Sequence, residues 1–220
     1  MIERVRVLKK PRIEPRLVAT RPAPTVILAS SSSTRARLLS AAGITVEIVK
    51  PEVDERPTKM RLVANRARAD KVATELAELK ALAVSKKHPE ALVIGADQVL
   101  DCDGKLFDKA ADHESAKRQL KELRGKRHRL VSAVALATHG AITWSHADTA
   151  TLSMRVFSDT FLDAYLILAT DAVLNSVGAY QLEGLGAQLF TKVEGDYFTV
   201  LGLPLLPLLD QLRRAGVLAA

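Results

Sequence analysis

Four consecutive serines followed by Thr34 and Arg35 form the first stretch, residues 30–35, whose residue types could do chemistry. They follow an apolar run over 26–29, a pattern that predicts a buried strand, a tight turn and the first turn of a helix. A serine among residues 31–33 can cap that helix, and its free backbone N–H groups, its dipole and Arg35 all favour an anion at one place. Phosphate fits best, because a guanidinium binds its oxygens in a bidentate way. A capped helix with an exposed arginine explains the same residues.

A second informative stretch, residues 91–100, is apolar on both faces except where it reaches Asp97. This pattern predicts a central strand, and a carboxylate buried there is costly unless it is hydrogen-bonded or close to a cation. Functional sites of open α/β sheets gather at the carboxyl ends of strands, where we expect Asp97 to lie. The alternative is a carboxylate that only caps a neighbouring turn.

Two further polar residues lie between these stretches. Glu55 belongs to an acidic loop, and carboxylates beside an anion site repel the anion unless a cation lies between them. Glu55 is therefore a candidate ligand for a metal ion or a ribose, although a solvated acidic loop is an equal alternative. The spacing of apolar residues over 62–79 predicts one amphipathic helix, and Lys71 lies outside its apolar stripe.

The elements that must position these groups alternate between strands and helices. Besides the two strands above, the pattern predicts strands over 44–49, 130–136 and 141–154. An Asp-Gly hairpin turn at Asp103 and Gly104 brings Lys109 to the end of the returning strand. Asp112 and Ser158 are each expected to cap a helix, and the last helix is expected to start within residues 200–209, with Pro204 near its first turn.

Length and composition favour an ordinary globular protein. The chain has 220 residues, of which 48% are hydrophobic and 26% charged, so it can bury a substantial core as one domain or two small ones. No apolar run is long enough to span a bilayer. The single cysteine, Cys102, excludes an internal disulfide and a thiolate zinc cage within one chain, and it suits the reducing cytoplasm.

The positive charge is concentrated at the start of the chain. Residues 1–24 hold seven basic and two acidic residues, and so carry +5 of the net +7. Their four prolines predict a flexible leader that precedes a single domain over 25–220. The leader lacks the apolar region of a secretory signal and contains no aromatic residue, which argues against a nucleic-acid-binding arm.

A glycine-rich stretch covers residues 178–190. Gly184 and Gly186 allow close approach of the backbone, which a flat nucleobase or a subunit contact could use. No phosphate-binding loop of the G-x-x-x-x-G-K-[ST] type is present.

Through these stretches, the chain resembles the Maf family of nucleoside triphosphate pyrophosphatases. Six motifs, in the order of the family and together covering about residues 25–216, carry the resemblance; they lie at residues 28–35, 95–99, 109–110, 125–128, 178–186 and 194–204. The resemblance implies an α/β fold with a mixed, elongated, twisted sheet flanked by helices, and two lobes around a cleft. It also implies a homodimer that uses a divalent metal, Mg²⁺ or Mn²⁺, to cleave a nucleotide to the nucleoside monophosphate and inorganic diphosphate. A nucleic acid or a membrane is not an expected partner.

The resemblance also assigns roles to individual residues. Ser30 and Arg35 match phosphate-contacting positions, and Asp97 matches the proton acceptor. Three more residues match polar positions of the cleft, namely Glu55, Lys71 and Lys109. Glu55 and Asp97 are the candidate metal ligands.

The substrate base is indicated by departures from the family pattern. Ser33 and Thr34 replace a usual Pro-Arg pair, and Ala110 replaces a proline. Where the dTTP/UTP-hydrolysing branch usually has Arg, Thr and Gln, this chain has Thr34, Gln98 and Glu183. Gln98 and Glu183 resemble the branch that acts on 7-methyl-GTP. A glutamate there can accept hydrogen bonds from guanine N–H groups or face a methylated, cationic base.

Other functions stay open from the residues alone. A dTTP/UTP pyrophosphatase of the same family is the nearest alternative, followed by a regulatory module that binds nucleotides without cleaving them. An RNA-binding protein driven by the basic leader is a third. A serine hydrolase is disfavoured, because the chain has no G-x-S-x-G motif.

Overall fold

A seven-stranded mixed β-sheet organises the chain, of which the computed structural model describes residues 24–219. In chain order its strands are β1 Val26–Ala29, β2 Glu47–Ile48, β3 Leu92–Cys102, β4 Lys105–Phe107, β5 Arg127–Thr138, β6 Ala141–Met154 and β7 Phe190–Glu194. They lie side by side in the order β2-β1-β3-β5-β6-β7, and β4 also pairs with β3. β1 runs parallel to β2 and β3, whereas the other pairings are antiparallel. The predicted α/β fold with a mixed sheet is confirmed.

Helices occupy most of the connections. They are α1 Ser33–Ala41, α2 Arg56–Ala64, α3 Ala69–Ser85, α4 His113–Leu123, α5 Asp159–Ala169, α6 Tyr197–Val200 and α7 Leu205–Arg214, with two 3₁₀ segments at Thr170–Asn175 and Leu185–Leu189. Side chains of Ser32, Asp112 and Ser158 accept hydrogen bonds from the backbone at the starts of α1, α4 and α5. The predicted caps are therefore confirmed, and Pro204 immediately precedes α7 as expected.

Two predicted elements differ from the structure. The single helix predicted over 62–79 is wrong, because α2 ends at Ala64 and α3 begins only at Ala69. Arg66 between them has a left-handed φ of 51°, and the N–H of Ala67 donates to the carbonyl of Leu62, a geometry that ends a helix. The strand predicted over 44–49 is shorter, since only its residues in β2 pair with β1.

The sheet buries apolar residues on both faces. α3 covers one face, while α1 and α7 cover the other. α4 and α5 belong to a third apolar cluster, which includes residues of β3, β4, β5 and β6. Gly95 on β3 lets α3 approach very closely, because a Cβ there would lie 2.2 Å from the carbonyl oxygen of Ala77. This close packing holds α3 near β3 around Ala77 and Ala81.

Residues 1–23, almost all of the predicted leader, lie outside the described residues. Within residues 24–219, no helix combines the length and the hydrophobicity that crossing a membrane requires.

Candidate active site

A gap in the sheet defines the candidate site. β1 pairs with residues 92–95 of β3, and β4 pairs with residues 100–102, so the edge of β3 over 96–99 pairs with neither strand. Asp97 and Gln98 lie in this gap. Because successive side chains of a strand point to opposite faces, Asp97 faces α3 and Gln98 faces α6.

Asp97 is held by a lysine that the sequence analysis did not single out. Asp97 is buried, with only 8% of the residue exposed. Its Oδ1 accepts a hydrogen bond from the Nζ of Lys80 at 2.6 Å. The same ammonium lies 3.0 Å from Oε2 of Glu55, which immediately precedes α2. One buried cation thus brings Glu55 and Asp97 together, as a shared site for the two carboxylates requires.

Lys71 does not join this group. Its side chain is 63% exposed, and its Nζ pairs with Glu75 at 3.2 Å. Lys71 and Lys80 are nine residues apart on α3, which is two and a half turns, so they project to opposite sides of the helix. The expectation that Lys71 lines the cleft is therefore corrected, and Lys80 occupies that place.

Arg35 is fixed by three acceptors at the gap. Its Nη1 donates to the carbonyl of Ala96 at 2.9 Å and to Oγ of Ser30 at 3.2 Å, and its Nε donates to the carbonyl of Gly202 at 2.8 Å. Loss of solvation lowers the pKa of Arg35, while the charges of Asp97 and Glu55 act in the opposite direction. The guanidinium therefore shares an electrostatic environment with the two carboxylates.

Ser30 and the start of α1 stand beside this guanidinium. Ser30 is buried, and its Oγ accepts from the backbone N–H of Ser32 at 3.2 Å as well as from Arg35. Ser32 caps α1 by accepting from the N–H of Arg35. A serine hydroxyl, a helix N-terminus and a fixed guanidinium thus lie together, as an anion site would require, and the binding of an anion here stays a prediction.

Lys109 contributes to the same electrostatic environment. It lies two residues after β4 and forms an isolated antiparallel bridge with Val177. Although much of the residue is exposed, partial desolvation lowers its pKa, and the positive charges of Arg35 and Lys80 lower it further. A polyphosphate bound between these cations would relieve their mutual repulsion.

Gln98 is tied to the framework rather than open on all sides. Its Nε2 faces Oγ of Ser132 at 3.0 Å and the carbonyls of Thr199 and Val200 at 3.2 and 3.1 Å. Because backbone carbonyls can only accept, the amide nitrogen must point towards α6. Only its oxygen Oε1 is left to meet a substrate.

The other two predicted specificity residues, Thr34 and Glu183, lie on α1 and in the glycine-rich stretch over 178–190. Thr34 is half-buried on α1, and Arg37 follows it by three residues, on the same side of the helix. The Nη2 of Arg37 pairs with Oε1 of Glu183. Arg37 therefore connects Glu183 to the side of α1 that carries Thr34, whereas the hydrogen bonds of Gln98 are to Ser132 and α6.

A metal ion fits the chemistry of the donors at the gap. Within the described residues, no group of three or more His, Cys, Asp or Glu side chains could hold a metal. Glu55 and Asp97 supply two carboxylates, both of which pair with the ammonium of Lys80. Mg²⁺ is commonly bound by one or two carboxylates together with substrate phosphates and waters, so this donor set suits such an ion once a nucleotide is bound.

Comparison with known proteins finds one matching family and several similar sequences. The Maf-like protein family matches residues 25–215. A nucleoside triphosphate pyrophosphatase of Paramagnetospirillum magneticum is 55% identical over 87% of this chain and 99% of the relative. A 7-methyl-GTP pyrophosphatase of Brucella abortus is 47% identical over 86% of this chain and 95% of the relative.

Among solved structures, the match to the Staphylococcus aureus Ham1 protein covers 59% of this chain and 71% of the Ham1 chain, with 15% sequence identity and a TM-score of 0.37. That similarity is too low to carry an argument. The family match and the two sequence relatives each cover more than four fifths of the chain. The chain therefore belongs to the Maf-like protein family.

Proposed function

We propose that this protein is a nucleoside triphosphate pyrophosphatase. It hydrolyses the bond between the α- and β-phosphates and releases a nucleoside monophosphate and inorganic diphosphate (pyrophosphate). The observation that carries the proposal is the buried Asp97, held by Lys80 in a gap of the sheet and faced by Arg35. The names of the two sequence relatives support the same reaction.

Binding of the polyphosphate falls to the cations and donors around the gap. Arg35 presents a guanidinium whose Nε and Nη1 are already bonded to the protein, so its position is fixed before the substrate arrives. Ser30 and the N-terminus of α1 add uncharged donors. Lys109 supplies a further cation in the same electrostatic environment, which would stabilise the negative charge that the leaving diphosphate gains.

Asp97 is the group that acts on water. A water oxygen attacks the α-phosphorus, its proton passes to Asp97, and the bond from the α-phosphorus to the bridging oxygen breaks, so that the diphosphate leaves with that electron pair. Lys80 holds the carboxylate in one orientation through its 2.6 Å contact with Oδ1. General-base assistance contributes roughly 10²- to 10⁴-fold, so charge stabilisation by Arg35 and Lys109 must supply much of the remaining acceleration.

A divalent metal, Mg²⁺ or Mn²⁺, belongs to the proposal. Glu55 and Asp97 would hold it, and the bound ion would supply positive charge to the phosphate oxygens during bond cleavage. Lys80 shares both carboxylates, so it limits their mutual repulsion before the ion and nucleotide arrive.

The proposal also covers the substrate base, the cellular location and the oligomeric state. Glu183 and Gln98 favour a guanine nucleotide, including the 7-methylated form, and such an activity would remove non-standard nucleotides. A dTTP/UTP preference is the alternative. We also propose a cytoplasmic homodimer without a nucleic-acid or membrane partner, in which residues 1–24 form a leader to a single catalytic domain.

One assay tests the reaction. The full-length protein is incubated with Mg²⁺ or Mn²⁺ and a panel containing 7-methyl-GTP, GTP, dTTP and UTP, and the release of diphosphate and monophosphate is measured. We expect equal amounts of both products. Nucleotide binding without either product would instead identify a regulatory module, and release of inorganic phosphate alone would contradict cleavage at the α-phosphorus.

A further inference from the structure

The ion pair between Arg37 and Glu183 joins two parts of the chain that flank the proposed base site. Arg37 lies on α1, two residues after the phosphate-binding Arg35. Glu183 lies in the glycine-rich stretch over 178–190, at a position where this chain departs from the dTTP/UTP branch. The charge on Glu183 is therefore compensated within the protein before any base approaches it.

The loop that carries Glu183 is anchored at its beginning. Nε2 of His128 lies 2.7 Å from the hydroxyl of Tyr180, and the hydroxyl of Tyr165 donates to the carbonyl of Ala179 at 3.2 Å. Ala179 has a left-handed φ of 58° and is fully buried. Glu183 follows Tyr180 by only three residues, so Arg37 acts on a carboxylate whose backbone is held in place nearby.

The carboxylate retains one oxygen for a ligand. Arg37 contacts Oε1, and Oε2 has no hydrogen-bond partner within residues 24–219. The side chain of Glu183 is 32% exposed, which leaves this oxygen room to accept from an N–H donor. A paired glutamate can thus act as a hydrogen-bond acceptor while the pair as a whole carries no net charge.

This neutrality matters for guanine bases. Guanine and its N7-methylated form present the same N1–H and N2–H donors, but methylation gives the ring a positive charge. An unpaired glutamate would attract the cationic ring more strongly than the neutral one, whereas a glutamate neutralised by arginine would discriminate less between them.

We propose that Arg37 is a positioning residue that sets base specificity, because it lowers the preference of Glu183 for a cationic guanine over a neutral one. The inference rests on the proposed function and adds to it a specific control of substrate choice. Arg37 contacts neither Asp97 nor Arg35 within the described residues, so its effect is expected in KM and not in kcat.

The test is the ratio of kcat/KM for 7-methyl-GTP to kcat/KM for GTP. We expect Arg37→Gln to raise this ratio about fivefold at low salt, since a charge at contact distance in water changes an equilibrium by about that factor. The increase should shrink as salt screens the exposed charges. Arg37→Lys keeps the charge and should restore the ratio of the wild-type protein.

Glu183→Gln supplies the opposite change. It leaves the charge of Arg37 uncompensated, so we expect the ratio to fall below that of the wild-type protein. Combining it with Arg37→Gln should bring the ratio back towards the wild-type value, which tests the coupling of the two side chains directly. Arg214→Gln is the matched control, because it removes an exposed ion pair, with Asp210 at 2.9 Å, from α7.

Two results would overturn the inference. An unchanged ratio in Arg37→Gln, with equal losses on both nucleotides, would mean that Arg37 only holds the loop in place. A ratio that falls in Arg37→Gln would contradict the charge argument outright. If the wild-type protein releases diphosphate from neither nucleotide, the failure lies in the proposed function itself.

Discussion

The Nζ of Lys80 on α3 lies 2.6 Å from Oδ1 of Asp97 on β3. Both side chains are largely buried, and the same ammonium contacts Glu55 at 3.0 Å. Close packing of α3 on Gly95 brings the helix near enough for this contact. A partly buried pair of this kind is costly to break, because removing one partner leaves the other charge without compensation.

Asp97→Asn should lower turnover strongly and leave nucleotide binding nearly unchanged. The amide is nearly the same size but cannot accept the proton of the attacking water, so we expect kcat to fall roughly 10²- to 10⁴-fold. Steady-state kinetics and calorimetric binding of a nucleotide measure the two effects separately. Asp103→Asn, at the exposed hairpin turn of the same strand, is the control. Turnover at the wild-type rate in Asp97→Asn would refute the role of Asp97 as the base.

Lys80→Gln and Lys71→Gln should differ sharply although both lysines lie on α3. The first substitution removes the cation between Glu55 and Asp97, so we expect a large loss of kcat and a stability loss of about 3 kcal/mol. The second removes an exposed pair with Glu75 and should change stability by less than about 1 kcal/mol. Denaturant unfolding and the diphosphate assay measure both. Similar behaviour of the two variants would contradict the assignment of Lys80.

Arg35→Lys should show that a positive charge alone is insufficient. A lysine cannot satisfy the carbonyls of Ala96 and Gly202 together, so we expect KM to rise and stability to fall by about 1 to 3 kcal/mol. KM for the best nucleotide and the free energy of unfolding are the two measurements. An unchanged KM would place the phosphates away from this guanidinium.

His128 should make stability depend on pH below neutrality. It is 2% exposed, and burial lowers its pKa from 6.5 to about 4, so the folded protein keeps it neutral while the unfolded chain takes up a proton. Its contribution is complete above about pH 6.5 and is lost as the pH falls to about 4, a total of about 3 kcal/mol.

The measurement is the free energy of unfolding against pH for His128→Gln and the wild-type protein. We expect the variant to lose less stability between pH 6.5 and 4, because it has no imidazole to protonate. His139→Gln, at an exposed histidine, should follow the wild-type curve. Parallel curves for His128→Gln and the wild-type protein would show that His128 does not carry this dependence.

Glu183→Gln combined with Gln98→Thr should shift preference towards dTTP or UTP. The first change replaces a carboxylate by an amide, which can donate as well as accept. The second also removes the donor that faces the carbonyls of Thr199 and Val200, so we expect a stability loss of about 1 to 3 kcal/mol. The nucleotide panel gives the ranking, and thermal unfolding gives the cost. An unaltered ranking would remove both residues from base recognition.

Local chemistry made several elements predictable from the sequence. Ser32, Asp112 and Ser158 are short polar residues immediately before or at a helical pattern, where their oxygens can accept from free N–H groups. The Asp-Gly pair at 103–104 predicts its hairpin by the same kind of local rule, since both residues adopt positive φ.

Long-range contacts were not predictable in this way. Lys80 lies on the buried stripe of α3, four residues after Leu76 and four before Val84, where an apolar residue is expected. A lysine in that stripe was the available signal, yet only the packing of α3 on β3 shows that Asp97 is its partner. Arg37 and Glu183 likewise belong to separate elements, and no local pattern links them.

The pairing of β3 with β5 has a consequence for how this chain can change in length. Nine consecutive pairs, from Val93 with Ala137 to Asp101 with Arg129, join the two strands without a bulge. Deleting or inserting one residue early in β3 would exchange the faces of Asp97 and Gln98, since orientation alternates along a strand. Point substitutions in the gap alter one step of the reaction, but a single-codon indel in this strand would remove the carboxylate from the active site altogether.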